Sequence, residues 1–168
     1  MRLDTVESVY ADQLADLRSA ESQLIEALPK MAAAASDEKL KQAFQEHLEQ
    51  TEQHLERLNR IIGSFPTAVA SESCEAMQGL IKEGEKIITA EGPGAVKDVA
   101  LIAAAQRVEH YEIAAYGTAR TLADQLGASE ARQLLNDTLD EESETDERLT
   151  KLATGGLIGT GINQRAES

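Results

Sequence analysis

The chain has 168 residues, with 30 acidic and 16 basic side chains and a formal net charge of −14. This acidic excess argues against a nucleic-acid partner, because phosphates are bound by lysine and arginine. The single cysteine excludes a disulfide framework within the chain. The sequence shows neither a signal-like apolar start nor an apolar run of membrane-spanning length. We therefore expect a cytoplasmic protein without a membrane partner.

The composition indicates an all-α fold in a single domain. Alanine, leucine, glutamate, glutamine, lysine and arginine dominate the sequence, and all of them favour helices. Runs of β-branched residues with period two, which are typical of strands, are missing. Apolar residues make up 42% of the chain, which is enough to form a core.

Five helices are predicted in chain order. They cover about residues 5–35, 37–62, 72–90, 95–126 and 129–153. Pro29 is expected to kink or end the first helix, and Gly63 to end the second. A loop over 64–71 precedes the third helix, and Ser129 is expected to cap the fifth. Residues 1–154 would form the bundle and residues 155–168 a flexible or docked C-terminal tail.

The helix order predicts a ferritin-like antiparallel four-helix bundle. The first and second helices are joined by a short turn, as are the fourth and fifth, so each pair forms an antiparallel hairpin. The connection between the hairpins is long and contains the short third helix. Two hairpins linked by one long crossover is the ferritin-like topology. A pair of coiled-coil hairpins is the alternative, but it leaves buried glutamates unexplained.

Three of the long helices carry a glutamate in the middle of an apolar stripe. Glu21, Glu112 and Glu142 each lie among apolar residues at i, i+3, i+4 and i+7 spacing, which marks one buried helix face. An unpaired carboxylate in a dry core is unfavourable. Several helices with one such carboxylate each therefore predict a shared cation, and a metal pair is the obvious candidate.

The remaining ligand candidates come from spacing on the same helix face. Glu109 lies three residues before Glu112, and Asp146 lies four residues after Glu142, where Thr145 occupies the i+3 position. Iron or manganese is expected, since carboxylates suit hard divalent ions and can bridge two of them. The predicted metal ligands are Glu21, Glu49, Glu52, Glu109, Glu112, Glu142 and Asp146.

The apolar stripe of the second helix runs through Phe44, Leu48, Leu55 and Ile62. Glu49 and Glu52 form an i, i+3 pair beside that stripe. His47 and His54 fall on its other side, where a hydrogen bond to a neighbouring helix or a dimer seam is favoured over metal binding. A surface or interface role is favoured for His110.

These segments resemble the YciE/YciF family of bacterial ferritin-like stress proteins over about residues 3–153. The resemblance rests on AESQL at 20–24, ALPKM at 27–31, FQEHLEQT at 44–51, CEAMQGLI at 74–81, DVALIAAAQRVEHYEIAAYG at 98–117 and LDEE at 139–142. It implies a rubrerythrin-like bundle, a dimetal-type centre, a homodimer and a link to stress. By position, the ligands would be Glu21, Glu49 with Glu52, Glu109 with Glu112, and Glu142.

The resemblance also implies an all-oxygen site, because Glu52 and Thr145 stand where related ferritin-like patterns have histidine. Three functions remain open. The first is a metal-dependent enzyme that removes peroxide, for which the sequence supplies no Cys-x-x-Cys electron donor. The second is a non-catalytic metal-binding or structural stress protein. The third is iron storage, although nothing in the chain demands a shell-forming oligomer.

Overall fold

The computed structural model of this protein describes residues 4–69, 72–156 and 159–167. The helices in chain order are α1 (Val6–Ala34), α2 (Glu38–Ser64), α3 (Glu75–Thr89), α4 (Gly94–Gln125), α5 (Ser129–Thr154) and α6 (Ile162–Ala166). No strand occurs in the described residues, so the prediction of an all-α bundle is confirmed. Within the same ranges, no helix is both long enough and apolar enough to cross a bilayer.

The first helix begins at a capping box and runs past its proline. The Thr5 hydroxyl accepts a hydrogen bond from the Ser8 backbone N–H, and the Ser8 hydroxyl accepts one from the Thr5 N–H, each at 3.2 Å. Pro29 lies inside α1 and does not end it. The following turn buries Met31 and Ala32 in the core, and such packing stabilises helices more than propensity does.

The ends of α2 and α3 differ by a few residues from the predicted ones. Gly63 does not end α2, which continues to Ser64. The third helix begins at Glu75 because Cys74 is its N-cap, with the Met77 backbone N–H donating to Cys74 Sγ at 3.3 Å. The predicted end of the preceding loop, at position 71, lies outside the described residues.

The fifth helix begins without a side-chain cap and ends at a glycine. Ser129 is its first residue rather than its cap, and Ala128 takes the cap position. Gly155 ends the helix with φ of +81°, a left-handed conformation that glycine adopts without a steric penalty.

Two antiparallel hairpins form the bundle. Residues 35–37 join α1 to α2, and residues 126–128 join α4 to α5. Tyr10 near the start of α1 contacts Phe65, which follows the end of α2, with ring centroids 5.0 Å apart. In the other hairpin, Arg120 Nη1 donates to Asn136 Oδ1 at 3.1 Å. The connecting helix α3 packs against α1 and α4.

The described part of the predicted tail packs on the bundle of its own chain. Helix α6 contacts α4 and α5. Its Ile162 is buried in the core, and Arg165 Nη2 lies 2.8 Å from Asp37 Oδ2 at the start of α2. Positions 157, 158 and 168, which the predicted tail also includes, lie outside the described residues.

The core consists of two apolar clusters with a polar layer between them. The N-terminal cluster includes Tyr10, Leu14, Leu17, Leu58, Ile61, Tyr116, Ala119, Ala123 and Leu135. The crossover cluster includes Leu24, Leu28, Met31, Leu40, Phe44, Met77, Leu101, Val108, Leu149 and Ile162. On every long helix, the buried residues between the two clusters are polar. The polar layer comprises Glu21, His47, Thr51, His54, Glu109, Glu112, Thr138 and Glu142.

Candidate metal centre

Helix α1 contributes Glu21 to the polar layer. Glu21 lies between Leu17 of the N-terminal cluster and Leu24 of the crossover cluster, and it is fully buried. The hydroxyl of Tyr116, on α4, donates a hydrogen bond to Glu21 Oε1, which leaves Glu21 Oε2 without a partner. The core position predicted for this glutamate is therefore the one it occupies.

Helix α2 contributes two histidines and not the predicted glutamates. His47 and His54 are buried in the layer, and Thr51 lies between them with its hydroxyl bonded to the His47 carbonyl at 2.9 Å. Glu49 and Glu52 are exposed. The structure does not bring these two glutamates into the layer, because the inward face of α2 lies one position away from the predicted stripe.

The correct register could have been found in the sequence. Apart from Ala43, the buried residues of α2 follow alternating steps of four and three, the spacing of a helix seam, and they include polar side chains. They are Leu40, Phe44, His47, Thr51, His54, Leu58 and Ile61. A stripe that contains only apolar residues runs through Leu48 and Leu55, one position beyond His47 and His54. The two histidines were therefore not predicted to face the core.

Helices α4 and α5 contribute three glutamates. Glu109 and Glu112 of α4 and Glu142 of α5 are all buried in the layer, as predicted. Asp146 is not brought into it. Its Oδ1 accepts a hydrogen bond from Gln106 Nε2 at 3.0 Å, and its side chain is 20% exposed. One helical turn beyond Glu142, Asp146 faces the edge of the α4–α5 interface.

The inward side chains form two groups that share one carboxylate. His47, Glu109, Glu112 and Glu142 form the first group, and Glu21, His54 and Glu142 the second. Within each group, one candidate ligand atom per residue lies within 4.8 Å of all the others. Two groups that could each hold a metal ion thus share Glu142, and each has one histidine, so the expected all-oxygen donor set is not what the structure contains.

The distances across Glu142 are short. His54 Nδ1 lies 3.0 Å from Glu142 Oε1 and 3.5 Å from Glu21 Oε1. On the other side, His47 Nε2 lies 3.8 Å from Glu142 Oε2 and 3.4 Å from Glu109 Oε1. One nitrogen of each ring therefore faces the carboxylates of its own group.

The unpartnered atoms of the core are concentrated in these two groups. Among the described residues, nine buried side-chain nitrogen and oxygen atoms have no hydrogen-bond partner, and eight belong to the six grouped residues. Both oxygens of Glu112 and both of Glu142 are among them. Buried polar atoms are normally satisfied, so this concentration requires an explanation. Donor atoms that face one another and lack partners fit bound cations.

Burial and mutual repulsion oppose ionisation of the α4 glutamates. Burial, followed by the charges of Glu21 and Glu142, raises the pKa of Glu112 well above its ordinary value of 4.5. Burial and the charge of Glu142 do the same for the pKa of Glu109. Ionisation of these two side chains in the metal-free protein is therefore unfavourable, and metal binding would have to displace their protons.

The shared carboxylate behaves differently. Burial also opposes ionisation of Glu142, but the positive charges of His47 and His54 outweigh it and lower the Glu142 pKa. Burial opposes the charged form of His54, yet the carboxylates of Glu142 and Glu21 raise its pKa from 6.5 to about 10. Burial lowers the pKa of His47. In the absence of metal, charged His54 thus partly neutralises the centre.

Comparison with known families and proteins agrees with the predicted resemblance. Residues 5–167 match a family described as a domain of unknown function, DUF892. Protein YciF of Escherichia coli strain K12 is 47% identical over 169 aligned positions, which cover 100% of this chain and 99% of YciF. The resemblance to the YciE/YciF family is therefore confirmed.

Solved structures of similar proteins have the same overall fold. The crystal structure of the E. coli stress protein YciF matches with a TM-score of 0.89 and 46% identity, covering 99% of this chain and 100% of that one. YcfI of Rhodopseudomonas palustris, a proposed structural protein, matches with a TM-score of 0.85 and 35% identity, covering 91% and 99%.

Proposed function

The chain belongs to the DUF892 family and is a homologue of the stress protein YciF, and we propose that it is a stress-associated, ferritin-like protein whose polar layer holds a pair of divalent metal ions. The observation that carries the proposal is the concentration of unpartnered buried donor atoms in two groups that share Glu142. A structural polar network would be expected to satisfy its own hydrogen bonds. Here eight atoms lack a hydrogen bond of suitable geometry, all on the six residues that a metal pair would contact, although two of them, His54 Nδ1 and Glu142 Oε1, form an ion pair at 3.0 Å.

Charge supports a pair rather than a single ion. The two groups contain four glutamates, Glu21, Glu109, Glu112 and Glu142, which carry four negative charges when ionised. Two divalent ions carry four positive charges and would neutralise them in a buried, low-dielectric site. Carboxylate oxygens with one imidazole nitrogen per position suit iron and manganese. Either metal is therefore the expected occupant.

Peroxide removal is the activity we propose for the loaded centre. A redox-active metal pair supplies two electrons, which together with two protons convert one hydrogen peroxide into two waters. The chain's own residues exclude bulk water, since the grouped side chains are between 0% and 3% exposed. The Tyr116 hydroxyl orients Glu21 by donating to its Oε1. With one cysteine in the chain, the replacement electrons have to come from an external donor.

The second candidate is a non-catalytic metal-binding or structural stress protein. It is favoured by the single cysteine, which cannot form a dithiol electron relay, and by the proposed structural role of YcfI. In both cases we propose a homodimer that does not bind nucleic acid, because the net charge of −14 would repel phosphates. Analytical ultracentrifugation of the purified protein would test the dimer.

Anaerobic reconstitution with Fe²⁺ or Mn²⁺, followed by metal analysis and a peroxide assay with a reductant, tests the proposal. About two ions per chain are expected from a dimetal bundle site. Glu112→Gln should remove the ion of the first group and leave about one ion per chain, whereas Glu144→Gln, on the exposed face of α5, should preserve both. Absence of binding to the parent protein would overturn the metal proposal. Binding without peroxide consumption would favour the non-catalytic alternative.

A further inference from the structure

We propose that Glu141, fixed by Arg57, positions His54 so that its Nδ1 faces the second metal position. The inference rests on the proposed function and assigns a role to two residues outside the candidate ligand groups. His54 Nε2 lies 2.8 Å from Glu141 Oε2, in hydrogen-bond geometry. The ring is fully buried, and its other nitrogen faces Glu142 and Glu21. The carboxylate of Glu141 thus holds the side of the ring that points away from the centre.

The chemistry of imidazole makes this contact directional. An ionised carboxylate can only accept a hydrogen bond, so Nε2 has to carry the proton. In the neutral ring, Nδ1 is then left with its lone pair, the state required of a metal ligand. Carboxylate–histidine contacts of this kind fix the tautomer and orientation of metal-bound histidines. Glu141 therefore selects which nitrogen of His54 is available to the metal.

Arg57 holds Glu141 in place. Its Nη1 donates to Glu141 Oε2 at 2.6 Å and its Nη2 donates to Glu141 Oε1 at 2.9 Å. Nη1 also donates to Thr138 Oγ1 at 3.1 Å. A two-point guanidinium–carboxylate contact restricts the orientation of both planar groups. The side chains of Arg57 and Glu141 are 22% and 29% exposed, so they lie between the buried ring and the solvent.

In the described part of the chain, the outer nitrogen of His47 has no hydrogen bond to a carboxylate. The outer nitrogen of His47, Nδ1, lies 3.5 Å from the Thr145 hydroxyl, which itself donates to the Glu141 carbonyl at 3.1 Å. A hydroxyl at this distance constrains a ring less than a carboxylate at 2.8 Å does. The effect of losing Glu141 should therefore be confined to the Glu21/His54/Glu142 group.

A merely structural ion pair between α2 and α5 is the competing explanation, and the chain offers a matched control for it. Arg60 and Glu130 form an ion pair between the same two helices, but both side chains are largely exposed. Among the described residues, neither of them forms a hydrogen bond or an ion pair with a histidine. Glu130→Ala removes a link between α2 and α5 without touching the centre.

Anaerobic titration with Mn²⁺ of the full chain and three variants tests the proposal. We expect Glu141→Ala to weaken one of the two equivalents by about 10–100-fold, the usual effect of losing such a contact. Glu141→Gln keeps an oxygen acceptor and should restore most of the affinity. Glu130→Ala should leave both equivalents unchanged. Equal affinities in Glu141→Ala and the parent protein, or equal losses in Glu141→Ala and Glu130→Ala, would overturn the proposal.

A second measurement requires no metal. In the metal-free parent, the buried His54 Nε2–H should give a slowly exchanging, downfield proton NMR signal. That signal should persist in Glu130→Ala and disappear in Glu141→Ala. Its absence from the parent protein would overturn the inference even if two ions bind. Failure of the parent to bind Mn²⁺ with the signal present would instead overturn the proposed function.

Discussion

The polar layer and the two apolar clusters belong to the same bundle core, but the buried side chains of the clusters have favourable neighbours whereas several polar atoms of the layer lack hydrogen-bond partners. Leu14, Leu58 and Leu101 are fully buried among apolar neighbours, which is the favourable state for such side chains. Glu112 is equally buried, but neither of its oxygens has a partner. A buried polar atom without a partner lowers stability. The clusters therefore stabilise the bundle, and the layer opposes them unless something binds.

This difference explains how the bundle can tolerate an unsatisfied centre. On each long helix the layer is flanked on both sides by cluster residues, so the helices are held together above and below it. The unpartnered atoms of the layer lower the stability of the metal-free protein, whereas burial of the cluster residues raises it. Substitutions in the two regions should consequently have opposite effects on the metal-free protein.

The largest effect is expected in the apolar clusters. Leu58→Ala removes a fully buried side chain from the N-terminal cluster and should lower the free energy of unfolding by about 2–5 kcal/mol. The metal content should not change, because the leucine side chain has no atom that could bind a metal and Leu58 belongs to neither ligand group. Urea denaturation and metal analysis would measure both quantities. Leu101→Ala, in the crossover cluster, serves as the parallel test. A variant as stable as the parent would contradict the assigned role of the clusters.

The next effect concerns pH and the layer. In the unfolded chain, Glu109 and Glu112 ionise near their ordinary pKa of 4.5 and His54 loses its proton near 6.5. All three pKa values are raised in the folded protein, so above pH 7 the folded state binds more protons and a rise in pH favours unfolding. For each proton that the folded state retains and the unfolded state has lost, the free energy of unfolding falls by about 3 kcal/mol between pH 7 and pH 9.

Urea denaturation of the chelator-treated protein at pH 7, 8 and 9 would measure this loss. The metal-loaded protein is the control. Its carboxylates are already deprotonated by the metal, so its stability should not fall over the same interval. Metal-free protein that becomes more stable from pH 7 to pH 9 would contradict the raised pKa values of the layer.

A somewhat smaller change in the free energy of unfolding is expected when a carboxylate without hydrogen-bond partners is removed. Glu112→Leu deletes two unpartnered oxygens and should stabilise the metal-free protein by about 1–3 kcal/mol. It should also remove metal binding from the first group. Glu144→Leu, at an exposed position on α5, is the control and should do neither. If Glu112→Leu destabilises the metal-free protein, the layer is a satisfied network and the comparison with the clusters fails.

Most of the fold and half of the layer could be predicted from the sequence. Helix propensity located five helices, because it is a local property of the chain. Glu21, Glu112 and Glu142 were found because a carboxylate inside an apolar stripe contradicts burial. Local patterns could not locate α6, since a five-residue helix is held by docking of Ile162 on the bundle and not by its own propensity.

The errors on α2 have a physical cause. Its inward face contains three polar residues in succession, His47, Thr51 and His54, so apolar periodicity is weakest where the centre lies. Asp146 was misplaced for a different reason. An i+4 residue shares a helix face only approximately, and the small rotation moves Asp146 to Gln106 at the edge of the interface.

The smallest effects are expected on the outward face of α2, and they sharpen the comparison most directly. Glu49→Gln and Glu52→Gln change exposed side chains, so metal content and the urea midpoint should equal those of the parent. His54→Gln changes a buried side chain on the same helix and should remove the ion from the second position. Metal analysis of the three variants decides between the two faces. A loss of metal in Glu52→Gln that equals the loss in His54→Gln would place the ligands of α2 on its outward face and would contradict the polar layer described above.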